Sequence, residues 1–323
     1  MNGQGPSENG RPPRDAGPPV ITRSFRVGPV GPRGLLLATM AAWGLNLPVM
    51  KLLLPVFGPL GTSLWRMLAA CVLLSAVTWT ASRRWPRLEA RQWAMLALCG
   101  AVMVYANQVF LMQGMRRTTA SNAALIMALN PLLSSLLAAL TLRVPVTGLR
   151  LAGVALGFGG VALVILNRPG ALLGSGGLGD LLVLGAVATW VAGGVMVQRL
   201  ADRRAGGLDS GTVSWAVNLT GTLLLALHVL LAGEPLVLPE ATVTPGLVAM
   251  LVASGLLATA AGALVWNRAL SVLGVAHVSL YVYWVPIFGV AFSVLLLGEA
   301  LTVWHGVGLA AVLGGTWLGT RRG

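Results

Sequence analysis

The chain offers few side chains able to do chemistry, and most of them lie inside long apolar runs. Asn130 stands directly before Pro131 in the run ASNAALIMALNPLLSSLLAAL, and Asn122 lies eight residues earlier. His277, Tyr281, Trp284 and Phe288 recur at i, i+4, i+7 and i+11, which places them on one helical face. Trp43, Asn46 and Met50 share a face of another run, Tyr105, Gln108 and Met112 of a third, and Trp190 with Gly194 and Val197 of a fourth. Amides, phenols, indoles and an imidazole on such stripes can hydrogen-bond and stack with a polar solute, or bond to a neighbouring helix in a dry interior. Arg66 could hold an anionic group or snorkel along its aliphatic stem to the nearest interface, and the second outcome is expected unless the residue faces inward. No acid falls at the centre of any apolar run. The three histidines are on separate segments, and neither a nucleophile–base set nor a metal-ligand spacing occurs, so no enzymatic activity, metal or cofactor is expected. The two cysteines, Cys71 and Cys99, read as packing residues.

The elements that carry these residues are set by composition. Apolar residues make up 56% of the 323 positions, charged residues 10%, and mean hydropathy is +0.81. Soluble domains carry about 25% charged residues, so the chain belongs in lipid. Each apolar run of about 20 residues can cross a hydrocarbon core of about 30 Å as a helix. Ten such runs are expected, the first near 34–56 and the last near 303–320. The predicted fold class is therefore an all-α integral membrane protein. Arg66 and Asn130 fall within these runs, whereas Glu299 and Asp180 fall at helix ends, where Asp180 would cap the sixth helix.

A net charge of +13 could suggest nucleic acid, but the charges are sorted by loop. With a cytoplasmic N-terminus, 17 of the 22 Lys and Arg lie on the cytoplasmic side, as the positive-inside rule requires. Both termini are then cytoplasmic and no nucleic-acid partner is implied. Residues 1–33, rich in Gly, Pro and Arg, read as a disordered cytoplasmic tail.

Shifting the sequence by 155 aligns Pro131 with Pro286, Thr147 with Thr302, and Gly159-Gly160 with Gly314-Gly315. Two repeats of five helices follow, residues 34–167 and 168–323. An odd number of spans per copy forces the second to enter the membrane inverted, which is a common transporter plan. Each proline removes an N–H from its helix, and a freed carbonyl at membrane depth needs a protein partner or a wet cavity. Helix kinks at Pro131 and Pro286 on either side of a central cavity are the expectation. Gly153-x3-Gly157 and Gly315-x3-Gly319 would let helices approach closely within the monomer; oligomeric state is not determined by sequence.

Several segments, taken in order, resemble the EamA branch of the drug/metabolite transporter superfamily. They are Trp43-Gly44-Leu45-Asn46, Arg66, Ala120-Ser121-Asn122-Ala123-Ala124-Leu125, Asn130-Pro131, Gly179-Asp180 and Gly298-Glu299-Ala300-Leu301-Thr302. The likeness spans about 34–320. One departure is that Arg143-Val144 stands where the second repeat has Gly298-Glu299. The resemblance implies ten helices in two inverted repeats, termini inside, and movement of small metabolites, often outward. The expected function is a secondary transporter or exporter of small organic metabolites, amino acids or related compounds among them, across the cytoplasmic membrane by alternating access. A lipid-linked substrate flippase and a non-transporting membrane sensor are the alternatives.

Overall fold

A computed structural model describes residues 31–82, 85–141, 147–167, 177–200, 208, 210–266, 269, 281–282 and 284–320. Every regular element among them is helical. In lipid the backbone must satisfy its own polar groups, and helices do so within one segment.

The first element, α1 (Pro32–Ser82), is interrupted at Gly58 (φ 63°, ψ 176°), with Pro55 and Pro59 beside it. A straight helix would hold Met50 and Arg66 roughly 24 Å apart. Instead Arg66 Nη1 donates to Met50 Sδ at 3.1 Å, so the chain doubles back at Gly58 into two antiparallel arms. Only glycine takes this positive φ without steric cost.

After α1 come α2 (Ala90–Gly100), a π-helical turn (Ala101–Ala106) and α3 (Asn107–Arg117), which together form one rod. Next are α4 (Ala120–Met127), α5 (Asn130–Thr141), α6 (Gly148–Leu166), α7 (Gly177–Leu200) and α8 (Ser210–Ala232). The rod that begins with α9 (Pro245–Ala253) passes through a second π-helical turn (Ser254–Ala261) and continues to Trp266. Two helices close the chain, α10 (Trp284–Leu297) and α11 (Val303–Thr320). Among the described residues, five helical stretches are long and apolar enough to cross a membrane: Arg33–Ala81, which is interrupted at Gly58, Ala90–Arg117, Gly177–Val197, Gly211–Ala232 and Pro245–Trp266. Val72, Leu230, Leu231, Leu295 and Val303 are each at least 70% exposed, a perimeter suited to acyl chains rather than water.

The prolines act differently from a bend in a continuous helix. A turn at Ala128–Leu129 ends α4, and Pro131 is the second residue of α5. In the matching place Val282 is a turn residue and Pro286 lies in the first turn of α10. The missing proline N–H costs least in the first turn of a new helix, where no partner exists for it.

Glycines set the tightest packing. A Cβ on Gly160 would fall 2.6 Å from Ala311 Cβ, and one on Gly315 would fall 2.6 Å from Gly153 O and 2.7 Å from Gly157 N. Gly153, Gly157 and Gly315 therefore seat α6 against α11 within one chain. Elsewhere the core is aliphatic and Met-rich, with Leu47, Met50, Met112 and Met115 joining α1 to α3. Leu60, Leu64, Leu96, Val213 and Val217 join the second arm of α1 to α2 and α8.

Candidate functional site

The site begins from a charge that does not reach solvent. Arg66, eight residues past Gly58, sits about 12 Å down the second arm and is only 3% exposed. The outward snorkelling expected from the sequence is not what the structure holds. Its Nε donates to Ser254 Oγ at 2.6 Å, and Nη1 donates to Met50 Sδ at 3.1 Å and Gln108 Oε1 at 3.4 Å. Ser254 Oγ donates in turn to Asn46 Oδ1, and Asn46 Nδ2 reaches Met50 Sδ at 3.7 Å. Gln108 Nε2 donates to Asn107 Oδ1 at 3.2 Å, and Asn107 Nδ2 to the Ala186 carbonyl at 2.7 Å. One polar network thus crosses both arms of α1, α3, α7 and the π turn after α9.

Local geometry explains why these groups meet. Trp43, Asn46 and Met50 share a face, and that face meets the Ser254–Ala261 turn. Trp43 Nε1 donates to Ala258 O at 2.7 Å, and its ring lies 5.6 Å from Trp266. Glycines bring the rod close, since a Cβ on Gly255 would overlap Arg66 O and lie 2.9 Å from Ala69 Cβ. A Cβ on Gly262 would lie 2.6 Å from Trp43 Nε1. π-helical turns are uncommon and often mark functional sites. Here the two turns, Ala101–Ala106 and Ser254–Ala261, are separated by nearly the same sequence shift that aligns Pro131 with Pro286.

The other candidates disperse. The Tyr105 hydroxyl lies 3.2 Å from His228 Nδ1, an interaction between the first π turn and α8 and not with Arg66. Asn122 is buried with Nδ2 unpartnered. Asn130 is half-buried, and its Oδ1 accepts from Ser134 Oγ at 3.3 Å. Tyr281 packs on the Leu36, Met40, Ala269 and Val285 cluster. Trp284 is 44% exposed, with its ring 5.7 Å from that of Phe288. Trp190 is 40% exposed, whereas Trp43 is half-buried. His277 lies outside the described residues. Ser254 carried no sequence signal beyond being a hydroxyl in an apolar run.

Near Gly58 the molecule is tied shut around the α3–α4 connection. Lys51 Nζ donates to the carbonyls of Met115 (2.6 Å) and Thr118 (2.5 Å), at the end of α3 where the last carbonyls lack helical partners. Glu299 accepts from Ala120 N at 2.8 Å and Ser121 N at 2.9 Å, and Thr119 Oγ1 accepts from Asn122 N at 3.1 Å. The first three N–H groups of α4 are therefore satisfied, two of them by a carboxylate 178 and 179 residues away. Asp180, in the first turn of α7, accepts at Oδ1 from Thr118 Oγ1 and so ties the start of α7 to the end of α3. Leu238 N donates to Val56 O at 2.8 Å, bringing the α8–α9 connection over the Gly58 turn. A depression of about 410 Å³ lies there, bordered by Lys51, Arg116 and Glu234.

Glu299→Ala removes two charge-assisted bonds to a helix N-terminus. The expected loss is about 1–2 kcal/mol, or a melting temperature lower by about 2–5 °C in detergent. An unchanged melting curve would show that water replaces the carboxylate at no cost.

The EamA-like transporter family model matches residues 34–166 and 177–321. The chain is similar to a "Probable terminal-alkyne amino-acid exporter" of Streptantibioticus cattleyicolor, 30% identical over 295 residues that cover 89% of this chain and 92% of that protein. It is similar also to the "Uncharacterized transporter YyaM" of Bacillus subtilis, 26% identical over 86% of this chain and 90% of that one. An "Uncharacterized transporter" of Archaeoglobus fulgidus is 26% identical over 89% of this chain and 96% of that one. A solved structure titled "Crystal structure of protein" shares the fold, with a TM-score of 0.63 and 16% identity over 90% of this chain and 96% of that one.

Proposed function

The chain belongs to the EamA-like transporter family, and on that premise we propose that it is a secondary transporter exporting small organic metabolites, amino acids or related compounds among them, across the cytoplasmic membrane by alternating access. Family membership makes it a multi-pass membrane protein with a small-molecule substrate and, at the level of the family, a non-enzyme. The amino-acid reading borrows from the relative named as an exporter.

The observation that carries the proposal is the buried polar network drawn from both family-matched halves. Arg66, Asn46 and Gln108 come from the first half and Ser254 from the second. A ligand bound there would touch both halves, and its binding energy could favour one relative arrangement of them over another. The two arms of α1, the rods and the remaining helices are read as ten spans in two inverted repeats. The paired π turns and the paired proline-led helix starts support that reading. The distribution of Lys and Arg argues for cytoplasmic termini, which would put Gly58, Glu299 and the α3–α4 connection outside. The described arrangement would then be closed to the exterior, and export would require the Lys51 and Glu299 bonds to part.

Reconstitution into proteoliposomes tests this. Counterflow of radiolabelled amino acids above that of protein-free vesicles is expected. Absence of flux for the whole panel, with binding intact and orientation verified, would replace the transporter with a sensor. Scrambling of a labelled lipid without solute flux would replace it with a flippase.

A further inference from the structure

We propose that the Arg66 cluster binds the carboxylate of a small organic solute, which supplies the counter-charge the protein withholds; the inference deepens the transporter reading above and rests on it.

The sequence holds nine acidic residues. Glu89 is the N-cap residue of α2, its backbone N–H donating to Gln92 Oε1 at 2.9 Å, and Asp180 accepts from Thr118 Oγ1. Glu234 and Glu240 lie exposed in the α8–α9 connection, and Glu299 is held on α4. Glu8, Asp15, Asp202 and Asp209 belong to the tail and the α7–α8 connection, outside the described residues. None of the described acids forms a hydrogen bond with Arg66, whose partners are Ser254, Met50 and Gln108. A guanidinium buried this far, with neutral partners among the described residues, carries an uncompensated desolvation cost. Its three partners are a hydroxyl, an amide oxygen at long range and a thioether, which accepts weakly.

The unused capacity points to a ligand. Arg66 Nη2 has no hydrogen-bond partner among the described residues, since the bonds formed employ Nε and Nη1. Thr62 Oγ1 and Ser63 Oγ, four and three residues before Arg66 and so on its side of the arm, are buried and unpartnered. Buried hydroxyls without partners are rare and call for an explanation. A carboxylate accepts at several sites and donates at none, so it suits a guanidinium edge flanked by two free hydroxyl donors. The planar fork of arginine favours this two-oxygen geometry over a point charge.

The test uses the full-length purified protein and an equimolar mixture of L-amino acids as probe, set against the matching amino-acid amides and decarboxylated amines. The acids are expected to raise the melting temperature while amides and amines do not. Arg66→Gln is expected to weaken the apparent affinity for the acids roughly 10- to 100-fold, as loss of a charge-assisted bond does. Thr62→Val, which keeps the shape, is expected to weaken it less. Methylphosphonate and inorganic phosphate form a further arm, and stabilisation by these without the carboxylates overturns the assignment. Equal stabilisation by acids and amides, a full acid response in Arg66→Gln, or no response to any acid also overturns it. Where Arg66→Gln fails to fold, the acid-over-amide preference of the wild type and the Thr62→Val response decide. The transporter reading fails separately. Flux of amines insensitive to Arg66 sinks the carboxylate site and leaves transport standing, whereas Arg66-dependent binding without flux does the reverse.

Discussion

Arg66→Met is expected to abolish flux in proteoliposomes while leaving the melting temperature equal to or above that of the wild type. The argument is one of opposing terms. Hydrogen bonds to a charged group contribute about 1.5–3 kcal/mol each when well formed. Here one acceptor is sulfur and one amide oxygen is 3.4 Å away, so Ser254 alone makes a strong bond. Burying the charge costs several kcal/mol, and replacing buried charge by an apolar side chain of similar size is often stabilising by about 1–4 kcal/mol. The change leaves Ser254 donating to Asn46 and Gln108 Nε2 donating to Asn107, and the acceptor that loses its donor, Gln108 Oε1, gives up only the long 3.4 Å bond. A residue kept for function at a cost in stability behaves in this way. A melting temperature lower by more than about 5 °C would instead identify Arg66 as a structural anchor of the arms.

Gly255→Leu is expected to eliminate folded protein, the larger effect of the two on stability. The new Cβ would meet Arg66 O and lie 2.9 Å from Ala69 Cβ, so the obstacle is backbone and not a movable side chain. Overpacking of this kind costs typically 1–3 kcal/mol for small additions and more where the backbone must shift. Separating the two helices would also draw Ser254 from Arg66 Nε and leave the guanidinium short of its best acceptor. Gly194→Ala is the matched control. A Cβ there meets nothing within 4 Å, and a mid-helix alanine is favoured over glycine by about 1 kcal/mol. The measurement is the yield of monodisperse protein in detergent together with its melting temperature. Wild-type behaviour of Gly255→Leu would mean that the rod does not pack as described.

Much of the architecture was legible in the residues. Hydropathy placed the chain in lipid, whereas the kinks expected at Pro131 and Pro286 are instead helix starts, with the turns at Ala128–Leu129 and Val282 and each proline in the first turn of the helix that follows. The small-residue spacing at Gly153, Gly157 and Gly315 foretold a close helix approach within the chain. Periodicity also put Trp43, Asn46 and Met50 on one face, and that face does meet the π turn after α9. The candidate site was legible only in part. Asn46, Gln108 and Arg66 lie in the network, whereas Tyr105, Trp190 and Trp284 engage other surroundings.

What the sequence determined by itself is that the chain is helical and suited to lipid, that prolines interrupt its apolar runs, and which residues share a face. Those properties follow from local chemistry: apolar length, a missing proline N–H, a 3.6-residue period. What only the tertiary structure decided is which way each face turns. Lipid and protein interior are both apolar, so hydropathy cannot tell a lipid-facing stripe from a buried one. Arg66 turns inward because Ser254, 188 residues away, is carried to it by a glycine-lined helix contact. Lys51 and Glu299 find their roles at the ends of helices they do not belong to, where unpaired carbonyls and N–H groups attract opposite charges.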